Sequence, residues 1–242
     1  MAATHITVRL SRFAEPVELM GPPHGWTGSP LATVVAPDPR EIGLAPGAPQ
    51  GRTWLSCALF ADEAAARAAF ETSQTAPTWA TDSVESWTGL LQPFYHKGTT
   101  TWLDPHLAGP MFAPGEAPAR DAPCVVITSA GWNLGPGFDK QRMVDFGVRS
   151  TAVRASMTNT PGLHSMQAFC EAPISGGRDL ITLTFWRNPS WMQKFAYGQG
   201  LHRTIMDEDQ RNPSPLYDRS SFTRLRALAT RGSWHGSDPL SP

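Results

Sequence analysis

No stretch of this chain is apolar for long enough to cross a bilayer. The N-terminal run Met1–Leu10 alternates like a strand and has none of the apolar core of a signal peptide. A soluble, cytoplasmic protein is therefore the expectation, with contact to a lipid-like substrate left open. Charge of one sign is also missing. Twenty Lys and Arg stand against 21 Asp and Glu, a net charge of −1, and the arginines are scattered. That removes the electrostatic footprint of a nucleic-acid partner. Only three cysteines occur, Cys57, Cys124 and Cys170, far apart and in apolar runs. Without C-x-x-C spacing they indicate neither a zinc site nor a disulfide framework, and buried reduced thiols are expected. The histidines miss the H-E-x-x-H and two-His-one-carboxylate spacings of zinc and non-haem iron. A Gly-rich phosphate loop and a G-x-S-x-G nucleophile elbow are absent too.

Tryptophan and proline are abundant instead, with nine and 23 copies. The prolines, together with Gly and Ala, crowd into 14–50 and 105–123, which predicts long irregular segments there. Loops of that length commonly act as covers or flaps. Some tryptophans belong to a core, but the aromatic surplus beside flap-like loops also suits a large, flat, apolar ligand.

Taken in order, residues 4–11 read as a strand with Ile6, Val8 and Leu10 on one face. Thr53–Phe60 is a second strand, and Asp62 caps an Ala-rich helix over Glu63–Phe70. Residues 79–91 read as a short helix passing into a strand through Leu90–Phe94, then a turn at Tyr95–Gly98 and a short strand at Thr99–Trp102. Cys124–Ala130 is a buried strand, Gly131–Gly137 a turn, and Phe138–Met157 a helix. Leu163–Glu171 and Leu180–Trp186 form a hairpin about Gly176 and Gly177. Two short helices follow, and Phe222–Leu228 is the last strand. From 123 to 230 the order is strand, helix, strand, strand, helix, strand, the ferredoxin-like βαββαβ arrangement. The stretches Leu59–Phe70 and Thr184–Phe195 echo one another, each running from a strand end through Asp62 or Asn188 to a helix with Phe in twelfth place. The expectation is a ferredoxin-like α+β barrel of two tandem degenerate βαββαβ-type halves, 1–115 and 116–242, with a Pro-rich loop at 14–50.

The two short helices, Asn188 to Met206, hold the stretch of most chemical interest. Asn188 is a good N-cap, Pro189 suits the first helical position, and Gly198 and Gly200 separate the helices. Trp191 and Phe195 share a face. His202 lies one turn before Ile205 and Met206, where an imidazole beside a strand can serve as an axial haem ligand or simply bond a carbonyl. His164, on a strand face with Met166 and Cys170, is the rival ligand. His96 and His106 fall in loop-like segments, while His24 and His235 have no supporting context.

Four stretches together resemble the spheroidene monooxygenase (acyclic carotenoid 2-ketolase) family: Trp54–Arg67; Leu90–Pro93; Leu183–Trp186 with Met192, Phe195 and Ala196; and Gly200–His202 through Leu216–Tyr217 and Phe222–Arg224 to Gly232–Pro239. The resemblance begins near residue 50. It does not extend to 14–50 or the Trp132–Gly137 turn, which are expected to shape the substrate pocket. It implies a haem-dependent oxygenase, with His202 matching the histidine that follows a glycine in the family's late helix and hence the metal ligand. Trp186, Trp191 and Phe195 are then candidates to pack on the porphyrin, although ordinary core positions explain them equally. Arg203, Arg187 and Arg149 are candidates to pair haem propionates. No distal acid–base residue is evident. The expected partners are a hydrophobic or aromatic small molecule, a carotenoid or another natural product, with O₂ or peroxide and an electron donor. A homodimer is expected by analogy with barrels of this kind. Two other classes remain open: a cofactor-free barrel monooxygenase and a non-enzymatic protein that binds an apolar ligand.

Overall fold

The computed structural model describes residues 2–18, 26, 30–40, 50–72, 82–99, 112–170, 177–212 and 215–241. Eight strands and four helices occur among them: β1 His5–Glu18, β2 Ala32–Pro37, β3 Gln50–Phe60, α1 Glu63–Thr72, β4 Ser83–Gly98, β5 Cys124–Asn133, α2 Lys140–Met157, β6 Leu163–Cys170, β7 Gly177–Trp186, α3 Pro189–Tyr197, α4 Leu201–Arg211 and β8 Arg219–Gly232. The strands form one sheet in the order β2-β3-β1-β4-β8-β5-β7-β6, and every neighbouring pair is antiparallel.

Each set of four strands has the ferredoxin-like order, its fourth strand beside its first and its third between first and second. The two sets meet where β4 pairs β8. The sheet curls until its edge strands β2 and β6 touch. There Gln167 Nε2 of β6 donates to Asp38, which follows β2 and is fully buried. The α+β barrel expected from the sequence is present, with both halves in a single sheet.

Strand alternation sorts the side chains into two compartments. Ile6, Val8 and Leu10 of β1 face the barrel interior with Leu55, Cys57, Leu59, Trp87, Val125, Ile127, Leu183, Phe185 and Leu225. Trp87 meets the edge of Phe185 at 4.9 Å, and its Nε1 donates to Asp238 at 3.0 Å. The interior is a packed core, which accounts for several of the tryptophans. On the outer face α1 seats Ala66, Ala69 and Phe70 against Ala58, Phe60 and Leu90. The matching place in the second half is taken by α3, whose Met192 and Ala196 pack with Cys124, Val126 and Trp186. Both helices start alike, Ala65 N donating to Asp62 Oδ1 at 2.8 Å and Trp191 N to Asn188 Oδ1 at 3.1 Å. The echo between Leu59–Phe70 and Thr184–Phe195 therefore falls on equivalent positions.

Four local expectations need correcting. The irregular segment 14–50 contains the end of β1, all of β2 and the first residue of β3. The expected turn at Tyr95–Gly98 is the end of β4, and Gly131 belongs to β5 rather than to a turn. Proline misled the reading of 14–50. Pro16 and Pro93 sit at register shifts and Pro37 ends an edge strand, the places where a missing N–H is tolerated. The short helix expected within 79–91 is replaced from Ser83 on by β4; residues 79–81 and 100–102 lie outside the described residues, as do His24 and His106. No helix among the described residues is long and apolar enough to cross a membrane.

Candidate functional site

Asn188 and Pro189 set the start of α3. Its end is set by Gly198, where a Cβ would stand 2.2 Å from the Lys194 carbonyl oxygen. The chain then bends into α4 and folds the ring of His202 back over the end of α3. His202 Nδ1 lies 3.3 Å from the Ala196 carbonyl oxygen. A carbonyl only accepts, so Nδ1 carries the proton and Nε2 keeps its lone pair. Burial lowers the imidazole pKa below its ordinary value, and the Ala196 carbonyl opposes that only in part. The ring is therefore neutral near pH 7. It lies 5.1 Å from Phe195, which in turn lies 5.6 Å from Trp186 of β7. These three predicted residues form one aromatic ladder from sheet to α4.

Trp191 stands apart from that ladder. It packs on Gly162 and carries Lys194 Nζ 4.6 Å above its ring. Arg149 and Arg203 already hold carboxylates of α4, Glu208 at 2.7 Å and Asp207 at 2.9 Å, and Arg187 is exposed.

The sheet face beneath these helices is partly open. Cys124 and Val126 of β5 face the helices, so alternation places Thr128 there too. Thr128 is exposed although β5 is flanked by β7 and β8, with Thr182 and Phe222 opposite it. Along α2 only Met157 is buried, and a Cβ on Gly147 would meet nothing within 4 Å. A helix packed fully on its sheet would bury a whole stripe. Thr128, flanked by Thr182 and Phe222, thus floors an open groove on the sheet face that carries α2 and α3.

Two arginines on this side were missed in the sequence. Arg224 projects from β8 beside Phe222, and Arg154 follows Val153 on α2. The Nε of each is buried with no hydrogen-bond partner. Their signal is the lack of a nearby carboxylate, which spacing along the chain does not reveal.

His164 is placed elsewhere. Its Nδ1 donates to the Pro239 carbonyl at 3.0 Å. It lines a cleft of about 350 Å³ with Ser165, Trp234, His235, Ser237 and Asp238. Asp238 is occupied there as a structural cap, accepting from Trp87 Nε1, Leu240 N and Thr230 Oγ1. Among the described lining residues the cleft's one carboxylate is thus committed to holding the C-terminal segment. Both histidines have Nδ1 held by a carbonyl; His202 is distinguished by the Phe195 and Trp186 rings beside it.

The fold defines the chain as an α+β barrel protein, and solved structures agree. A crystal structure of aldoxime dehydratase in complex with butyraldoxime has a TM-score of 0.54 at 9% identity, covering 93% of this chain and 80% of that one. A second aldoxime dehydratase structure has a TM-score of 0.51 at 10% identity, covering 93% and 82%. In sequence, the chain is 24% identical to spheroidene monooxygenase of Rhodobacter capsulatus over 193 residues, 80% of this chain and 74% of the relative. No family model matches.

Proposed function

We propose that this protein is a haem-dependent oxygenase of a hydrophobic or aromatic small molecule, in which His202 would hold the haem iron through Nε2. The observation that carries the reading is the state of His202: neutral, its Nδ1 proton held by Ala196, its ring set against Phe195. A carbonyl on the far nitrogen is the partner that orients a ligating imidazole and raises its basicity. The named activity of the Rhodobacter relative is oxygenation, and it lends support across most of the chain. The residues present suit the group: a nitrogen donor with a fixed tautomer, an aromatic ring beside it, and two guanidiniums without a carboxylate partner among the described residues.

Bound haem supplies the activation of O₂ or peroxide. The chain's own part would be to hold the iron with the His202 nitrogen and to pack Phe195, backed by the buried Trp186, beside it. Carotenoids or other extended apolar natural products are the substrate class.

The test is the visible spectrum of protein made with a haem precursor, before and after dithionite and CO. A Soret band that is lost or altered in His202→Ala supports the assignment. A band unchanged in the variant moves the ligand to His164 or elsewhere. A colourless parent under haem-replete conditions sinks the reading, and a cofactor-free barrel monooxygenase or an apolar-ligand binder takes its place.

A further inference from the structure

Arginines in this protein are mostly partnered. Arg142, Arg149, Arg203, Arg219, Arg226 and Arg231 each hold a carboxylate within 3.1 Å. Arg224 and Arg154 differ, since neither has a carboxylate partner among the described residues, although both are half-buried and the Nε of each is buried unpaired. Donors of charged groups are seldom left so in a folded interior.

Both belong to the groove. Arg224 lies opposite Val126 in the β5–β8 pairing, one step along from the exposed Thr128. Its guanidinium is spread 4.5 Å over the Tyr95 ring and 5.2 Å from that of Phe222, and Nη2 donates to Tyr197 Oη at 3.1 Å. Tyr197 follows Ala196, the residue that holds His202, so Arg224 and His202 flank the same helix end. Arg154 sits on α2 between Val153 and Met157, which pack in the same cluster as Cys124 and Phe222. Its Nη2 makes one long contact, 3.4 Å, to Thr151 on its own helix.

From this placement we infer that Arg224 and Arg154 are the anion-recognising residues of the groove and bind the carboxylates of its ligand. A planar guanidinium, oriented in advance by aromatic faces, offers a pair of N–H donors that match a carboxylate. Arg149 and Arg203 are less available, because Glu208 and Asp207 already offset their charge. The inference rests on the haem reading for its choice of ligand, a flat macrocycle bearing two carboxylates, but not on ligation by His202.

The experiment titrates the apoprotein with metal-free protoporphyrin IX and with its dimethyl ester, which has the same ring without the charges. Haem is titrated in parallel. Wild-type protein, Arg224→Gln, Arg154→Gln, the double variant and His202→Ala are compared. Charge-assisted bonds predict that wild type prefers the diacid to the diester by roughly tenfold or more. The double variant is expected to bind both equally, and Arg224→Lys to recover only part of the preference. The ratio of the two affinities reads folded protein alone, so partial misfolding of a variant does not imitate the effect. Equal binding of diacid and diester by wild type overturns the inference, as does full preference in the double variant. In either case a His202-dependent Soret band on adding haem leaves the haem reading standing. Preference for the diacid together with haem binding indifferent to His202→Ala supports the arginine assignment and removes the ligation. Failure of every porphyrin to bind wild type overturns both.

Discussion

Gly131→Ala tests how far one missing side chain supports this site. In the sheet, Gly131 of β5 lies between Asp179 of β7 and Arg219 of β8. Because it has no Cβ, the Asp179 carboxylate passes over β5 and meets Arg219, with Oδ1 2.9 Å from Nε and 2.6 Å from Nη2. Both side chains are shielded, at 0% and 11% exposure. A Cβ on residue 131 would lie 1.8 Å from Asp179 Oδ1 and 2.8 Å from Arg219 Nε, so the bridge could not survive in place. Breaking one side of a buried pair costs about 3–5 kcal/mol. Arg219 keeps bonds to Asn133 Oδ1 and the Trp132 carbonyl, which places the expected loss near the lower bound, about 3 kcal/mol. The smaller unfolded-state gain of a Gly→Ala change, about 0.4–1 kcal/mol, offsets little of this. Equilibrium urea unfolding of wild type, Gly131→Ala, Asp179→Ala and the double variant should show two singles of similar cost. The double should cost clearly less than their sum, because the new methyl fills space the carboxylate has left. The clamp also anchors the start of α2, since Asp218 accepts from Asn133 N and pairs with Arg142 at 2.9 Å. Porphyrin affinity should fall along with stability. Gly131→Ala within 1 kcal/mol of wild type, or strict additivity in the double, would refute the reasoning.

Acid should act through His202. Its pKa is lowered in the folded state, so the unfolded chain binds the proton first, near its reference value of about 6.5. Stability is then complete above that pH and declines as pH falls from about 6.5 towards the folded value. His202→Gln should flatten the decline between pH 7 and 5 without abolishing it, because His5, His96 and His235 are shifted the same way; an unchanged slope would count against a buried neutral imidazole. At Gly162, φ is +79° and a Cβ would stand 2.3 Å from Trp191 Cγ. Gly162→Ala should lose at least the left-handed penalty of about 1–2 kcal/mol in urea unfolding, with altered tryptophan fluorescence as Trp191 moves.

Much of the architecture was legible because its causes are local. Alternation in Ile6, Val8 and Leu10, the caps at Asp62 and Asn188, and the glycine break before His202 depend on neighbours a few residues away, and each element formed near its expected place. The barrel followed from the order of those elements. Proline hid β2, because its effect depends on whether a strand is an edge or carries a bulge, and that is decided by pairing with distant strands. The aromatic ladder was half legible. Spacing put Phe195 and His202 on two successive helices without joining them; their contact and the Nδ1 proton follow from the bend that brings the Ala196 carbonyl over the ring. The arginines were opaque. Which guanidinium is neutralised depends on carboxylates far along the chain, 59 residues from Arg149 to Glu208 and 40 from Asp179 to Arg219. A sequence lists charges without saying which of them meet. The tertiary structure paired most of them, and in doing so singled out Arg154 and Arg224 beside the groove.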